Sequence, residues 1–300
     1  MSDSELHDRA LGAYLGLAIG DALGAPVEFM TAREIAHKFG TFRHMTGGGW
    51  LRLAAGQVTD DTTMSLALGD ALVACGGWDL RAVADAFVRW LKAKPVDCGN
   101  ACRRGLQRYI ADGSLSAPPS EGDAGNGAVM RNLPVVLATL ADDAAFQRQT
   151  LGQSHITHNH PLSDAAALTL GRMASMLILG GATVDCRPFA DRLFAEQPKF
   201  RFTRYPGRAS GYVVDTVQTV LHHFFAHEDF EACLIAVVSR GEDADTNAAL
   251  AGMLAGARCG ARRLPKSWLR TLDPATRHHI EAQTPALLAL GRKPPAAAVA

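Results

Sequence analysis

Two short acidic clusters, far apart in the chain, carry the residue types best suited to chemistry. The first is Thr59-Asp60-Asp61-Thr62 and the second is Asp243-Ala244-Asp245-Thr246, and each lies at the predicted start of a helix. A carboxylate at a helix N-terminus can act as a cap and stabilise the helix by about 0.3–1 kcal/mol. Capping explains one aspartate for each helix, but it does not explain two aspartates with threonine hydroxyls beside them.

The oxygen atoms of these clusters indicate the kind of ion that they would bind. Carboxylates and hydroxyls without cysteine or an obligatory histidine favour Mg²⁺ or Mn²⁺ over zinc or copper. If the two helices meet, four carboxylates share a small space, where like charges repel by about 4 kcal/mol for each close pair. Divalent cations would offset this repulsion. The clusters therefore predict a metal site, and simple helix capping is the alternative.

Two further carboxylates lie where they could take part in acid–base chemistry. Glu28 follows a glycine-rich helix and the helix-terminating Pro26, and Asp97 precedes a predicted helix near 98–111. Hydrolysis at a sugar carbon commonly uses a pair of carboxylates, so either residue could be a general acid or base. A helix cap or a surface charge is the alternative for each of them.

A loop rich in serine, proline and glycine, Gly113 to Gly127, precedes a predicted helix over 126–140. Successive backbone amides at such a position can hold phosphate oxygens, and a flexible turn is the alternative. The loop is neither a P-loop nor a dinucleotide fingerprint, because it lacks Gly-Lys-Ser/Thr and a preceding strand. His155, His158 and His160 predict a substrate contact or a helix cap rather than a zinc site, which would need further ligands.

Composition narrows the class of protein. The chain has 30 basic and 30 acidic residues, 48% hydrophobic residues and 20% charged residues. Without a basic excess it is not expected to bind nucleic acid. The polar N-terminus does not resemble a secretory signal, and the longest uncharged stretch, 173–184, is too short to cross a bilayer. The six cysteines lack C-x-x-C spacing and predict reduced thiols in a cytoplasmic protein.

The elements that must position these residues are predicted to be helices. Thr31 and Glu34 form a capping box, Asp79 precedes an apolar helical face, and Asp273-Pro274 combines a cap with proline at the first helical position. Helical periodicity also appears near 5–24, 62–75, 98–111, 126–140, 164–180, 212–226, 228–239 and 246–260. This pattern predicts an all-α protein of about a dozen helices.

Two of the predicted helices carry glycine at every fourth position. The stripes are Gly12, Gly16, Gly20 and Gly24, and then Gly252, Gly256 and Gly260. A glycine inside a helix costs up to about 1 kcal/mol relative to alanine, so the stripes predict close helix–helix approach. Both stripes adjoin acidic motifs and would hold them in a fixed relation. We expect one domain spanning 1–300, with an ordered core of about 5–292.

These motifs together resemble those of the ADP-ribosylglycohydrolase family. The resemblance covers nearly the whole chain, and the two acidic motifs at opposite ends of one helical domain carry its specificity. It implies a single-domain orthogonal helical bundle with a centre of two Mn²⁺ or Mg²⁺ ions. The remaining matches are Gly16–Gly24, the Gly122–Gly127 loop and Ile156–His160. The implied metal ligands are Thr59, Asp60, Asp61, Asp243, Asp245 and Thr246.

The resemblance also implies roles for other residues. Glu28 matches the catalytic glutamate and would orient or deprotonate a water, and Asp97 would face the guanidinium and help to deliver the leaving-group proton. Which of the two acts as acid and which as base is left open. ADP-ribose would contact the glycine-rich loop, a histidine and a tyrosine. The implied substrate-binding residues are Glu121, Gly122, Asp123, Gly125, Asn126, Gly127, His158 and Tyr212.

The implied reaction removes ADP-ribose from an ADP-ribosylated arginine on another protein. Within the family the chain is most similar to members that reactivate nitrogenase in nitrogen-fixing bacteria. This similarity implies dinitrogenase reductase, the nitrogenase iron protein, as substrate. It further implies a PII-type signalling protein as partner, and peripheral membrane association of a cytoplasmic enzyme through such partners, without membrane insertion.

One departure from the family pattern and two rival functions remain. Glu242 stands where the family usually has glycine, so the turn before Asp243 and its local charge can differ. A metal-dependent phosphohydrolase also uses aspartate pairs, but the haloacid-dehalogenase type needs D-x-D-x-T/V after an N-terminal strand. In this chain the threonine directly follows the second aspartate of Asp243-Ala244-Asp245-Thr246, near the C-terminus, which argues against that type. The other rival is a catalytically silent ADP-ribose-binding module. The presence of Glu28 and of all the expected ligand positions favours an active enzyme.

Overall fold

The protein is described by a computed structural model that covers residues 1–140 and 142–291. The predicted all-α, single-domain class is confirmed, and among the described residues no strand is present, only three isolated bridges. The C-terminal limit predicted for the ordered core, at 292, lies outside the described residues. The α-helices are α1 (Asp3–Gly24), α2 (Ala32–Phe39), α3 (Asp60–Cys75), α4 (Leu80–Lys92), α5 (Asn100–Asp112), α6 (Leu133–Ala138), α7 (Asp143–His155), α8 (Pro161–Ile178), α9 (Arg187–Glu196), α10 (Val213–Ala226), α11 (Phe230–Val238), α12 (Ala244–Cys259), α13 (Lys266–Thr271) and α14 (Pro274–Gly291).

Helices α1 and α12 pack against each other along the two glycine stripes. A Cβ atom at Gly16 would lie 2.2 Å from the backbone oxygen of Gly252, and one at Gly256 would lie 2.0 Å from that of Gly12. Only glycine allows the two backbones to come this close. The predicted close approach is therefore confirmed, and it brings the C-terminal end of α1 beside the N-terminal end of α12.

Helix α1 also has the length and apolar composition of a membrane span. Within the candidate span, Asp3–Val27, 94% of the apolar 18-residue window is buried inside the protein. Its surroundings include α12, α14 and α3, so the apolar residues of α1 already contact protein. Burial in the core accounts for the composition of this helix.

The predicted helix starts are confirmed where a side chain caps the helix. Thr31 and Glu34 form a complete capping box on α2. The Asp79 carboxylate accepts hydrogen bonds from the amides of the first turn of α4. Asp273 accepts a bond of 2.8 Å from the Thr276 amide at the start of α14. Short polar side chains fix these boundaries through local bonds that a sequence displays directly.

The prediction of one helix over 126–140 is wrong. Only Leu133–Ala138 is α-helical, and 126–132 forms turns. The backbone of this segment pairs with another part of the chain instead, because the Asn126 amide donates to the Gly211 oxygen and the Val213 amide donates to the Ala124 oxygen. Within the segment, the Val129 and Met130 amides both donate to the Asn126 oxygen and the Asn132 amide donates to the Val129 oxygen, so the local bonds form turns and not a continuous helix. Sequence periodicity also did not identify helices α7, α9 and α13.

Candidate functional site

The two acidic motifs meet in one cleft of about 770 Å³. The cleft forms where the end of α1, the start of α3 and the start of α12 come together. Glu28 and Asp97, predicted to be catalytic, lie in the same cleft as the aspartates of both motifs. The site residues predicted from the sequence that line this cleft are Glu28, Asp60, Asp61, Asp97, Gly125, Asn126, Gly127, His158, Asp243, Asp245 and Thr246.

Asp21, in the middle of the first glycine stripe, holds the first acidic motif in place. Its fully buried carboxylate accepts bonds from the Thr59 amide at 3.0 Å and from the Thr62 amide at 3.1 Å. The Thr62 hydroxyl donates to the same carboxylate. Helix α1 therefore fixes the start of α3 directly. Sequence reasoning missed this role, although Asp21 is the single charge in the apolar part of α1, residues 10–24, and such a charge needs buried partners.

Asp61 has one carboxylate oxygen bonded and one without a partner. The Thr59 and Thr246 hydroxyls both donate to its Oδ2, each at 3.3 Å, so residues of the two motifs converge on one atom. Its Oδ1 is buried and has no hydrogen-bond partner among the described residues. Leaving a charged oxygen buried and unpaired is costly, which indicates that this atom has a ligand to bind.

Glu28 approaches the second motif closely. One carboxylate oxygen from each of Glu28, Asp243 and Asp245 lies within 4.8 Å of the others. The Trp50 indole N–H donates to Glu28 Oε2 at 2.6 Å. The Asn126 side-chain amide donates to Asp243, which links the glycine-rich loop to the second motif. Trp50 and Asn126, which are distant in sequence from each other and from the second motif, thus hold this group of carboxylates.

Glu242 adopts the backbone conformation that glycine would adopt at this position. Its φ is +55°, in the left-handed region, and its amide donates to the Met30 oxygen at 2.8 Å. The Phe29 amide donates in turn to the Glu242 oxygen at 2.7 Å, and the Glu242 carboxylate accepts from the Ala209 amide at 2.9 Å. The turn therefore forms with glutamate in place of glycine, and it ties the segment after Glu28 to the start of α12.

Burial and mutual repulsion disfavour the charged forms of the clustered carboxylates. Burial, followed by the charges of Asp243, Asp97 and Asp60, raises the pKa of Glu28 to about 8. Burial and the nearby Asp97 raise the pKa of Asp60 to about 7. Several carboxylates in one buried cleft create a strongly negative site, and a positive ligand is the simplest way to neutralise it.

Asp97 lines the same cleft as Glu28 and the first motif. It is half-buried just before α5, and its carboxylate accepts a bond of 2.6 Å from the Cys98 amide. The Gly99 amide next to it donates to Asp60 at 3.2 Å. The start of α5 therefore positions Asp97 and Asp60 together, with the Asp97 carboxylate partly open to solvent.

Only part of the predicted substrate-binding loop lines the cleft. Gly125, Asn126 and Gly127 do so, whereas Glu121, Gly122 and Asp123 are not among the lining residues. Asp123 instead forms an ion pair of 2.9 Å with Arg104. The Glu121 carboxylate is exposed and lies 3.5 Å from His160.

Tyr212 also stands apart from the cleft lining. Its backbone forms an isolated bridge with Gly125, beside the cleft, and its side chain is exposed at 39%. The neighbouring Ser210 and Gly211 do line the cleft. The structure thus brings the Tyr212 backbone to the loop and leaves the ring at the surface.

The three clustered histidines have different environments. His155 pairs with Asp164 at 2.9 Å, and His160 caps α8 by accepting from the Leu162 amide at 3.0 Å. His158 alone is buried against the cleft, where burial and the nearby cations Arg131 and Arg104 lower its pKa to about 3. His158 is therefore neutral near physiological pH.

An exposed aromatic pair lies at the cleft, and the sequence indicated only one member, Trp50, as a residue that could stack on a base. Phe29 and Trp50 are 67% and 52% exposed, with ring centroids 5.3 Å apart, and both line the cleft beside Glu28. Phe29 has a φ of +62°, which few non-glycine residues adopt. This pair places the indole N–H where it can hold Glu28.

Comparisons with known proteins identify the family. A profile of the ADP-ribosylglycohydrolase family matches residues 2–296. The chain is 56% identical, over 97% of its length and 99% of the relative, to an ADP-ribosyl-dinitrogen reductase glycohydrolase of Rhodospirillum rubrum. It is 33% identical to an ADP-ribosylarginine hydrolase of Pseudomonas putida, over 94% of this chain and 78% of that one.

A solved structure gives the same answer for the fold. A chain described as an ADP-ribosylglycohydrolase-related protein complex superposes with a TM-score of 0.85 at 34% identity, covering 96% of this chain and 99% of that chain. The resemblance expected from the sequence motifs is thus confirmed over almost the full length. The chain belongs to the ADP-ribosylglycohydrolase family.

Proposed function

We propose that this protein hydrolyses the bond between ADP-ribose and an arginine guanidinium on a target protein. The observation that carries the proposal is the convergence of Glu28, Asp97 and both acidic motifs in one cleft. Two relatives, from R. rubrum and P. putida, bear names that describe removal of ADP-ribose from a protein or from arginine. The proposal assigns the same reaction class to this cleft.

Two divalent cations, Mn²⁺ or Mg²⁺, are the proposed cofactors of this cleft. The acidic side chains that line it supply carboxylate oxygens, Asp61 Oδ1 is buried without a partner among the described residues, and three carboxylate oxygens of Glu28, Asp243 and Asp245 lie within 4.8 Å of one another. Bound cations would supply Lewis-acid stabilisation and a more acidic water. The residues proposed to hold them are Thr59, Asp60, Asp61, Asp243, Asp245 and Thr246.

Glu28 and Asp97 are the proposed acid–base pair. The Trp50 N–H donates to one oxygen of Glu28, and the pKa of Glu28, raised to about 8 by burial, makes its ionised form a stronger base than an ordinary glutamate; bound cations would favour that ionised form. We therefore assign to Glu28 the orientation and deprotonation of the attacking water. Asp97, half-buried and lining the same cleft, binds the guanidinium and helps the proton lost by the attacking water to reach the departing nitrogen.

The glycine-rich side of the cleft is proposed to hold ADP-ribose. Gly125, Asn126, Gly127 and His158 line it, and they offer amide and imidazole groups to the diphosphate and ribose oxygens. Glu121, Gly122, Asp123 and Tyr212 lie around this loop and are proposed as outer contacts. Phe29 and Trp50 offer aromatic faces beside Glu28, where a cationic arginine could pack.

The proposed physiological substrate is ADP-ribosylated dinitrogenase reductase, because the R. rubrum relative is named for it and is similar over nearly the full length of both chains. A PII-type signalling protein is the proposed regulatory partner. We place the enzyme in the cytoplasm, with peripheral membrane association through its partners.

The test is release of ADP-ribose from a protein carrying ADP-ribosylarginine. Chelated protein should be inactive, and added Mn²⁺ or Mg²⁺ should restore release. Release that survives thorough chelation would overturn the metal proposal. Binding of ADP-ribose without any release would indicate a silent binding module, and metal-dependent hydrolysis of a phosphomonoester alone would indicate a phosphohydrolase.

A further inference from the structure

A fully buried arginine lies behind the histidine of the cleft. Arg131 is 0% exposed, and its guanidinium stacks 4.6 Å from the ring centroid of Phe87. It donates to the Gln153 side chain at 2.7 Å, to the Gln153 backbone oxygen at 2.9 Å and to the Thr157 hydroxyl at 2.7 Å. These acceptors are neutral, and among the described residues Arg131 forms no ion pair. A buried cation held this way suggests a role beyond packing.

The Thr157 hydroxyl connects this arginine to His158. A guanidinium can only donate, so the hydroxyl oxygen accepts from Arg131. The same oxygen lies 2.7 Å from Nδ1 of His158. The hydroxyl has one hydrogen, and the described residues offer it no other acceptor than Nδ1. When that hydrogen points at Nδ1, this ring nitrogen accepts and carries no proton of its own.

The other ring nitrogen of His158 lies at the glycine-rich loop. A Cβ atom added at Gly125 would lie 3.2 Å from Nε2, and one added at Gly127 would lie 2.8 Å from the adjacent Cε1. Glycine at both positions keeps this edge of the ring free of side chains. Among the described residues no hydrogen-bond partner faces Nε2, although His158 lines the cleft.

We infer that Arg131 and Thr157 are positioning residues that fix His158 as its neutral tautomer with the proton on Nε2. His158 is then a hydrogen-bond donor toward the cleft and binds an acceptor oxygen of the ligand. The identity of that ligand, ADP-ribose, rests on the proposed function, whereas the tautomer does not.

The electrostatic environment supports a neutral ring. Burial and the charges of Arg131 and Arg104 lower the pKa of His158, so protonation of Nδ1 is disfavoured at neutral pH. A neutral imidazole has one donor and one acceptor, and the partner of one nitrogen decides the role of the other. Arg131 thus acts twice, by disfavouring a charged ring and by turning the Thr157 hydrogen toward Nδ1.

The first experiment reads the tautomer in the absence of ligand. Protein labelled with ¹⁵N in its histidine rings is compared by NMR with Thr157→Val and Thr157→Ser, and His158→Gln assigns the signal. We expect protonated Nε2 and unprotonated Nδ1 in the wild type and in Thr157→Ser. Thr157→Val, which loses the hydroxyl but keeps the shape, should show a mixture of tautomers. A protonated Nδ1 in the wild type would overturn the inference.

A second variant tests the arginine itself. Arg131→Met keeps an unbranched side chain but removes the donor to Thr157. If it folds, its His158 signal should resemble that of Thr157→Val. If folded Arg131→Met keeps the wild-type tautomer, Arg131 is not a positioning residue for His158. If Arg131→Met does not fold, the comparison of Thr157→Val with Thr157→Ser still tests whether the Thr157 hydroxyl fixes the tautomer of His158.

The second experiment measures ADP-ribose binding by calorimetry. Binding by Thr157→Val should weaken by the same factor by which NMR shows the Nε2-protonated fraction to fall, and Thr157→Ser should match the wild type. An affinity in Thr157→Val that does not follow the measured fall in the Nε2-protonated fraction would overturn the donor role of Nε2. Absence of ADP-ribose binding by the wild type would count against the proposed function, and the NMR result would still decide the tautomer.

Discussion

At the scale of single residues, Asp61 joins the two acidic motifs. Hydroxyls from both motifs bind one of its oxygens, while the other oxygen is buried without a partner. We predict that Asp61→Asn lowers metal-dependent turnover at least about a hundredfold, because a proposed metal ligand is lost. The same change should stabilise the chelated protein, because it removes one of several buried like charges.

Asp191→Asn is the matched control for this prediction. Asp191 is exposed on α9, so its variant should keep both turnover and unfolding temperature. Steady-state kinetics with Mn²⁺ and thermal unfolding with a chelator provide the two measurements. A fully active Asp61→Asn would contradict the proposed role of Asp61.

Trp50 is the second residue with a specific prediction. Trp50→Phe keeps an aromatic ring next to Phe29 but removes the N–H that donates to Glu28. We expect kcat to fall about tenfold or more, because one bond to a charged group contributes about 1.5–3 kcal/mol. KM should change less, since the proposed role of Trp50 is to position Glu28.

Trp78→Phe is the control for this change. Trp78 is half-buried and packs near Gly152, away from the cleft lining. Its variant should match the wild type in kcat. If both tryptophan variants lose the same activity, a general packing effect explains the loss, and the role assigned to the Trp50 N–H fails.

At the scale of elements, the contact between α1 and α12 determines the geometry of the site. A Cβ atom at Gly16 would lie 2.2 Å from the backbone oxygen of Gly252, so the helices would have to move apart. We predict that Gly16→Ala lowers the free energy of unfolding by about 3 kcal/mol or more, although alanine favours helices. Denaturant unfolding of the chelated protein measures this change.

Gly122→Ala is a suitable stability control for Gly16→Ala. A Cβ atom at Gly122 would meet only the Ser120 hydroxyl, at 3.5 Å. The unfolding free energy should therefore change by less than about 0.5 kcal/mol. If Gly16→Ala unfolds like the wild type, the close backbone contact does not contribute to stability as we expect.

At the scale of the whole molecule, the buried carboxylates link stability to pH. Glu28 and Asp60 have folded-state pKa values raised to about 8 and about 7, from ordinary values of 4.5 and 3.8. Between the ordinary and the raised pKa of each group, the folded protein therefore binds more protons than the unfolded chain. The free energy of unfolding falls as the pH rises from about 4 to about 8. We predict that chelated protein melts at least about 2 °C lower at pH 8.5 than at pH 6.5.

Added Mn²⁺ should counteract the fall in melting temperature at high pH. A cation that binds the ionised carboxylates stabilises the folded state, and it does so most where those groups have lost their protons. The rise in melting temperature on adding Mn²⁺ should thus be larger at pH 8.5 than at pH 6.5. A chelated protein with equal melting temperatures at both pH values would contradict the electrostatic account.

The sequence by itself determined the features that depend on near neighbours. The caps at Thr31, Asp79 and Asp273 are bonds within one turn, so their residue types and spacing display them. The glycine stripes predicted the α1–α12 contact because only close approach justifies so many glycines in a helix. The acidic motifs predicted a shared site because two aspartates at one helix start exceed the needs of capping.

Only the tertiary structure decided what depends on distant partners. The segment 126–132 forms turns, and its start is tied to a distant part of the chain by the bond from the Asn126 amide to the Gly211 oxygen, about 85 residues away. Asp21 binds the first acidic motif across 38 residues, and Arg131 and His158 both contact the Thr157 hydroxyl. Such bonds join groups whose positions are set by packing of separate helices, and no local pattern of residues encodes them.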